Sequence, residues 1–339
     1  MIALPLATAR LVVRRFTDAD AEALAAYRSH PDVARFQNWD PPYTVDDARE
    51  LIAGSADSDL PALGEWVQVG VEHGGALIGD VGVFVDSGGG VAEVGYSLHP
   101  DHQGNGFATE AVGAVVDALL AGGVHRVEAG VDPENVASRR LLERLGFERE
   151  GLARRAYRLR DHFVDDERWA LLADDRARWL ARPHTLPSEM RLVELGEKPR
   201  TYGRLRVHPS QEGFVATVLH SYADALFPEL DPGGGLLVPW LRGVEGDGEP
   251  VGFVMVSEAT PTSPEPFLWR LLVDRGHQGR GIGRWIVDQV GARARELGHT
   301  TLLTSWVEGP GSPRPFYLGL GFEPTGEIED GETVARLHL

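Results

Sequence analysis

Hydrophobic positions follow two rhythms along this chain, and the order in which the rhythms occur is repeated. Alternating apolar residues mark WVQVGVEHGGALIGDVGVFV as a strand hairpin turning at Gly74-Gly75, with another strand at Val91 to Leu98 after the glycines at 88 to 90. Helical spacing covers Asp18 to Ser29, Val45 to Gly54 and Thr109 to Leu120, and an amphipathic helix is expected at Asp174 to Leu180. The stretch DDERWALLADD reads as a solvated charge run followed by a strand. After the proline-bearing segment RPHTLPS (Arg182 to Ser188) the theme starts again with a strand-like run at Met190 to Leu195. A helix over Glu212 to Phe227, a loop through Asp231 to Gly235, the strand PVGFVMVSEA and a strand at Phe267 to Val273 follow. A helix over Arg284 to Leu297 and a strand over Thr301 to Val307 come next. Strands alternating with helices predict an α/β class. The break predicts two domains, residues 1–183 and 190–339, joined by a linker at 184–189.

The repetition is sharpest in one loop. HQGNGFA (His102 to Ala108) is followed by Leu-Gly-Phe at Leu145 to Phe147, and HQGRGIG (His277 to Gly283) by Leu-Gly-Phe at Leu320 to Phe322. Gly106 to Gly281 and Gly146 to Gly321 are both offsets of 175 residues, so loop and Leu-Gly-Phe belong to one duplicated unit. Each loop lies between a predicted strand and a predicted helix. The first helical amides have no intrahelical partner there and the helix dipole is positive, while glycine lets a pyrophosphate approach the backbone. A dinucleotide fold would want Gly-x-Gly-x-x-Gly and an acidic residue about twenty positions on, and a P-loop would need Gly-Lys-Ser/Thr. The order here is Gln-x-x-Gly-x-Gly/Ala, and the single lysine, Lys198, is far from either loop.

This pattern, carried by Gln103, Gly106 and Ala108 and again by Gln278, Gly281 and Gly283, resembles the signature of the GNAT superfamily of acyl-CoA-dependent N-acetyltransferases. LVVRRFTDADAEAL, ASRRLLERLGFEREG and DDERWALLADD make the N-terminal half similar to Rim-type acetyltransferases. FLWRLLVDRGHQGRGIG and SPRPFYLGLGFEPTGE make the C-terminal half similar to bacterial polyamine and small-amine acetyltransferases. The resemblance implies a tandem of two GNAT-like domains, α/β (α+β), each a mixed, mostly antiparallel twisted sheet flanked by helices, with acetyl-CoA as cosubstrate.

It also implies a site in each half. The loop residues Gln103, Gly104, Asn105, Gly106, Phe107, Ala108 and Thr109, and Gln278, Gly279, Arg280, Gly281, Ile282, Gly283 and Arg284, are expected to hold the coenzyme. The strand backbone near Leu98 and near Leu271 and Val273 is expected to face the thioester. Acyl transfer to an amine needs an unprotonated amine, a stabilised oxyanion and a proton for the leaving thiolate. Tyr317, four residues before Gly321, matches the family's general acid, although a tyrosine in an apolar helix is also an ordinary core residue. Leu142 holds that place in the first half. There Glu93 is the candidate general base, or a solvated strand residue. Asn135 and Ser138 match pantetheine contacts or form a helix cap; Pro310 and Pro313 stand at those positions in the second half. His102 and His277 read as solvated loop residues. Trp269 and Arg270 are candidates for a substrate groove.

Composition sets limits. With 33 Lys plus Arg against 51 Asp plus Glu the net charge is -18, shared between the halves and without a basic cluster, so nucleic acid is not expected as a partner and a cationic amine is favoured. The absence of cysteine removes disulfides and thiolate catalysis, and no histidine-carboxylate spacing suits a metal. No apolar run is long enough to span a membrane and no leader pattern opens the chain, so a cytoplasmic location is expected. The oligomeric state stays open between monomer and homodimer. Three readings compete: acetylation of a small primary amine, acetylation of a protein N-terminus or lysine through the Rim-like half, and a non-catalytic coenzyme-binding module.

Overall fold

A computed structural model of the chain describes residues 2–55, 62–195, 199–230 and 234–339. It divides into two units, Met1–Leu180 and Ala181–Leu339. In the first, among the described residues, the order is β1 (Leu6–Ala7), β2 (Val12–Arg14), α1 (Ala21–Arg28), α2 (Pro31–Ala34), α3 (Val45–Ser55), β3 (Trp66–His73), β4 (Ala76–Val85), β5 (Val91–Leu98), α4 (Phe107–Ala121), β6 (Arg126–Val131), α5 (Val136–Leu145), β7 (Glu148–Leu159), β8 (His162–Leu172) and α6 (Ala173–Ala181). The strands form one sheet in the order β1-β2-β3-β4-β5-β6-β8-β7, antiparallel except for the β5–β6 pair. Successive strand residues face opposite sides, and both sides are covered. Val81 and Val83 join Val112, Val115, Val116 and Leu119 of α4 and Leu141 and Leu142 of α5 in one core, whereas Leu24 of α1 and Ala48 and Ile52 of α3 form another.

Asp80 on β4 faces α1, where the Arg28 guanidinium lies 3.0 Å from its carboxylate and the Tyr27 hydroxyl donates to the same oxygen. All three residues are buried. One charge run also turns inward. Asp166 and Glu167 are not solvated: β8 lies between β6 and β7, so both its edges are paired, and both carboxylates are buried. Glu167 is held by Arg139 at 3.0 Å, Arg149 at 3.2 Å and the Trp169 indole at 3.1 Å, and Asp166 by Arg168 at 2.7 Å.

The second unit contains, among the described residues, β9 (Met190–Val193), α7 (Pro199–Tyr202), α8 (Val218–Leu226), β10 (Val238–Gly246), β11 (Glu249–Glu258), β12 (Phe267–Val273), α9 (Ile282–Glu296), β13 (Thr301–Trp306), α10 (Arg314–Gly319), β14 (Glu323–Glu329) and β15 (Glu332–His338). The sheet order is β14-β15-β13-β12-β11-β10-β9, and again one pair, β12–β13, is parallel. Ile286, Val287 and Val290 of α9 pack with Val254, Leu268 and Leu302 on one side, and Val218 of α8 with Phe253, Met255 and Leu272 on the other. The helix expected over Glu212 to Phe227 is shorter. Thr217 is extended and its hydroxyl accepts from the His220 amide at 3.2 Å, so the helix starts at Val218, and a 3-10 turn, Pro209–Gln211, lies before it. β9 stops at Val193, and Leu195 turns into the core beside Tyr202. Of the loop expected through Asp231 to Gly235, residues 231–233 lie outside the described residues, as does Lys198. The proline-bearing segment before β9 packs on this unit: Pro187 lies against Gly246 and the Thr185 carbonyl accepts from Arg280 at 2.7 Å.

Removing one partner of the buried trio leaves a cation without compensation. Asp80→Ala is therefore expected to cost about 3–5 kcal/mol. The check is denaturant unfolding followed through Trp39, whose ring lies 4.3 Å from the Arg28 guanidinium. A loss under about 1 kcal/mol, the range of an exposed pair, would contradict the assignment.

Candidate active site

In both sheets the parallel pair opens into a fork. β5 meets β6 only over Val91–Glu93, although it stays paired with β4 as far as Leu98. β12 meets β13 only at Phe267 and Leu268, and a bulge at Trp269 in its pairing with β11 helps turn it away. Backbone direction alternates along a strand. His99 donates to the Ile78 carbonyl on β4 and Asp274 to the Val251 carbonyl on β11, so the amides of Leu98 and Val273 point the other way, into the forks. The carbonyl of each of these residues takes the side-chain amide of the loop glutamine, Gln103 on Leu98 at 3.0 Å and Gln278 on Val273 at 3.1 Å. Leu98 and Leu271 place their side chains in the cores.

Each loop then enters its helix through a glycine N-cap in the left-handed region, Gly106 at φ 78° before α4 and Gly281 at φ 85° before α9. A Cβ added at Gly104 or Gly279 would meet nothing within 4 Å, so the space over the loop amides is open to a ligand. The side chains of Phe107 and Ile282 are buried anchors, and Ala108 packs against the core, which leaves their amides at the helix start. Gly283 answers a packing need: a Cβ there would lie 3.0 Å from the Phe316 ring of α10. Asn105 folds onto its own loop, donating to the Gln103 carbonyl at 3.1 Å, and Thr109 accepts from Arg144. Arg284 reaches the Gly319 carbonyl. Arg280 is buried, bound to the Thr185 carbonyl and to His277 Nδ1 at 2.7 Å, so neither it nor His277 is a solvated loop residue. Burial and the Arg280 charge push the His277 imidazole down, against the pull of Asp274, and it is the neutral ring that can accept from the guanidinium.

Tyr317 lies buried on α10, stacked on Trp306 at 5.9 Å and edge-on to Phe322. Its hydroxyl is hydrogen-bonded to Thr304, and the Thr304 hydroxyl donates at 3.0 Å to the carbonyl of Leu268, the last β12 residue paired before the fork opens. Burial pushes the phenol up to about 12. In the first unit Leu142 is fully buried in that place. A different hydroxyl pair stands nearby: Tyr96 of β5 is 2.7 Å from Ser138, whose amide is capped at 3.1 Å by Asn135. Asn135 is thus the N-cap of α5, and Ser138 its partner. Glu93 is half-buried on the face opposite Val94, beside Glu128 of β6. Desolvation, with the charges of Glu128 and Asp166, raises its carboxyl above the usual range, while Arg168 opposes.

Sequence reasoning did not reach Thr304, Tyr96, Asp224 or Gln211. Arg270 is paired with Asp224 at 3.1 Å and lies over the Trp269 ring, and Gln211 exchanges amide hydrogen bonds with Gln278. These contacts join residues distant in sequence, and no motif links them. Among the described residues no cluster suits a metal ion, and no helix is long and apolar enough to cross a membrane.

Residues 10–148 match the family described as "Acetyltransferase (GNAT) domain" and residues 196–322 the one described as "Acetyltransferase (GNAT) family". The chain is 34% identical over 174 residues to the uncharacterized N-acetyltransferase p20 of Bacillus licheniformis, covering 51% of this chain and 98% of that protein. It is 35% identical over 153 residues to the N-acetyltransferase YoaA of Bacillus subtilis, covering 44% and 85%. Among solved structures, a GNAT-family acetyltransferase from Bacillus anthracis is similar at 25% identity and a TM-score of 0.45, covering 50% of this chain and 99% of the other. Mycobacterium smegmatis RimJ in complex with CoA-disulfide is similar at 25% identity and 0.44, covering 50% and 88%. With a forked sheet and a glycine loop in each half, and family matches over both, the chain belongs to the GNAT superfamily of acetyltransferases, whose cosubstrate is acetyl-CoA.

Proposed function

We propose that each unit holds one acetyl-CoA on its glycine loop and that the second unit acetylates the primary amine of a small molecule, with Tyr317 as the general acid. Acetyl-CoA supplies the acyl thioester when bound; the chain has to supply anion binding, an oxyanion donor and a proton. The loop amides from Gly279 to Gly283, at the positive end of α9, suit the first. The Val273 amide, aimed into the fork, suits the second. The observation that carries the reading is the Tyr317 phenol, dry, neutral and bonded through Thr304 to the point where the fork opens. A phenol raised to about 12 keeps its proton throughout the neutral range, so the group proposed to protonate the leaving thiolate is present wholly in its acid form. The acidic balance of the chain favours an acceptor that arrives as a cation.

The first unit lacks this acid, and we assign its chemistry to Glu93. A carboxyl lifted by burial is a better base than a solvated one, and its neighbours Glu128 and Asp166 attract a cationic group. That combination favours a second activity on an amine, with a protein N-terminus or lysine as the alternative acceptor.

Two sets of variants check the assignment. Gly281→Val puts a branched side chain into a left-handed conformation at the cradle and is expected to weaken coenzyme binding in the second unit by about 2 kcal/mol or more, leaving the first unit's affinity intact. Equal loss at both sites would mean unfolding instead. Tyr317→Phe is expected to keep coenzyme affinity and lower thiol release with the best small amine by roughly 10²-fold to 10⁴-fold, and Glu93→Gln to lower it less. Collapse of that rate in Glu93→Gln with indifference to Tyr317→Phe would exchange the roles of the two units.

A further inference from the structure

The first unit's loop has a cation standing over it, supplied by a residue outside the signature. Arg10 lies in the turn between β1 and β2, and it is fixed from several sides. Its backbone amide donates to Glu110 Oε1 at 2.8 Å, its Nε to Glu110 Oε2 at 2.7 Å and its Nη1 to the Asn105 carbonyl at 3.0 Å. The guanidinium covers the Phe107 ring at 4.5 Å, and the Thr8 hydroxyl donates to Glu110 at 2.5 Å from the same turn. Nη2 would lie 3.5 Å from a Cβ at Gly106, the N-cap of α4, and the side chain is 45% exposed. Glu110, in the first turn of α4, would by itself repel an anion arriving at the loop; the guanidinium offsets that charge and leaves Nη2 directed at the cradle.

The second unit is built differently at the same point. The side chain near the Cβ position of Gly281 is Leu186, at 3.8 Å, and the loop's own cation, Arg280, is turned away into the Thr185 carbonyl and His277. Two loops of one signature thus differ in charge. We propose that Arg10 is a phosphate-binding residue for coenzyme A in the first unit, held in place by Thr8 and Glu110, so that the two sites of one chain differ in affinity and in salt dependence. The proposal rests on the reading of the glycine loop as the pyrophosphate cradle.

The test is calorimetric titration of CoA into the full chain at low and high salt, for wild type, Arg10→Ala and Arg10→Lys, with pantetheine, which has no phosphate, as the second probe. In Arg10→Ala one of the two CoA sites is expected to weaken by about tenfold or more at low salt and to lose most of its salt dependence, with Arg10→Lys between the two. Pantetheine should bind wild type and variants alike, which a merely structural role for Arg10 would not give. If Arg10→Ala lowers the melting temperature, Arg10→Gln, which keeps a donor at similar reach without the charge, provides the same comparison. Two wild-type sites with unchanged CoA affinity and salt dependence in the variants, or pantetheine binding weakened as much as CoA binding, would overturn the proposal while leaving the cradle reading intact. A wild-type chain that takes up no CoA would overturn both.

Discussion

Everything at either site depends on how one strand ends. The glutamine that follows β5 or β12 donates its side-chain amide back to the strand's last carbonyl, and a glycine with positive φ then starts the helix. With that carbonyl satisfied, the strand end needs no parallel neighbour, and the sheet opens where a pantetheine arm could take the neighbour's place. The same turn brings the first helical amides to the mouth of the opening. On the proposed reading, one short segment supplies both the anion site and the slot for an extended chain.

Duplication kept this device and let its surroundings diverge. In the second unit the fork begins beside a buried phenol bridged through Thr304 to Leu268, and a bulge at Trp269 turns Arg270 toward Asp224. In the first, the phenol's place is taken by Leu142, a Tyr96–Ser138 pair stands at the start of α5, and an acidic side chain is half-buried on the opposite face. The forces that separate the halves are desolvation and local charge. A tyrosine in a dry pocket is an acid that keeps its proton, and a carboxyl near other carboxylates is a strengthened base.

Much of this was legible in the chain itself, because the loop, the Leu-Gly-Phe and their common offset are local signals tied to backbone conformation. The hairpin at Gly74-Gly75 and the motif helices follow from the same kind of signal, and their bounds differ from expectation by one or two residues. What was not legible depends on neighbours. The burial of Glu167 reflects an interior strand position whose arginine partners come from α5 and β7, and the shortening of α8 reflects a threonine cap competing with helical periodicity. Asn135 was ambiguous between ligand contact and cap, and the amide at 3.1 Å shows the cap. Arg280 matched a loop position by sequence, yet its guanidinium turns toward the segment before β9. Thr304 gave no signal, since a threonine in an apolar strand has the same pattern whether or not a phenol leans on it.

The central claim is that each unit carries a complete coenzyme cradle, and stoichiometry tests it most directly. Calorimetric titration of acetyl-CoA into the intact chain should return two sites per chain, with NAD giving no comparable heat. A single site, or a preference for NAD, would contradict it.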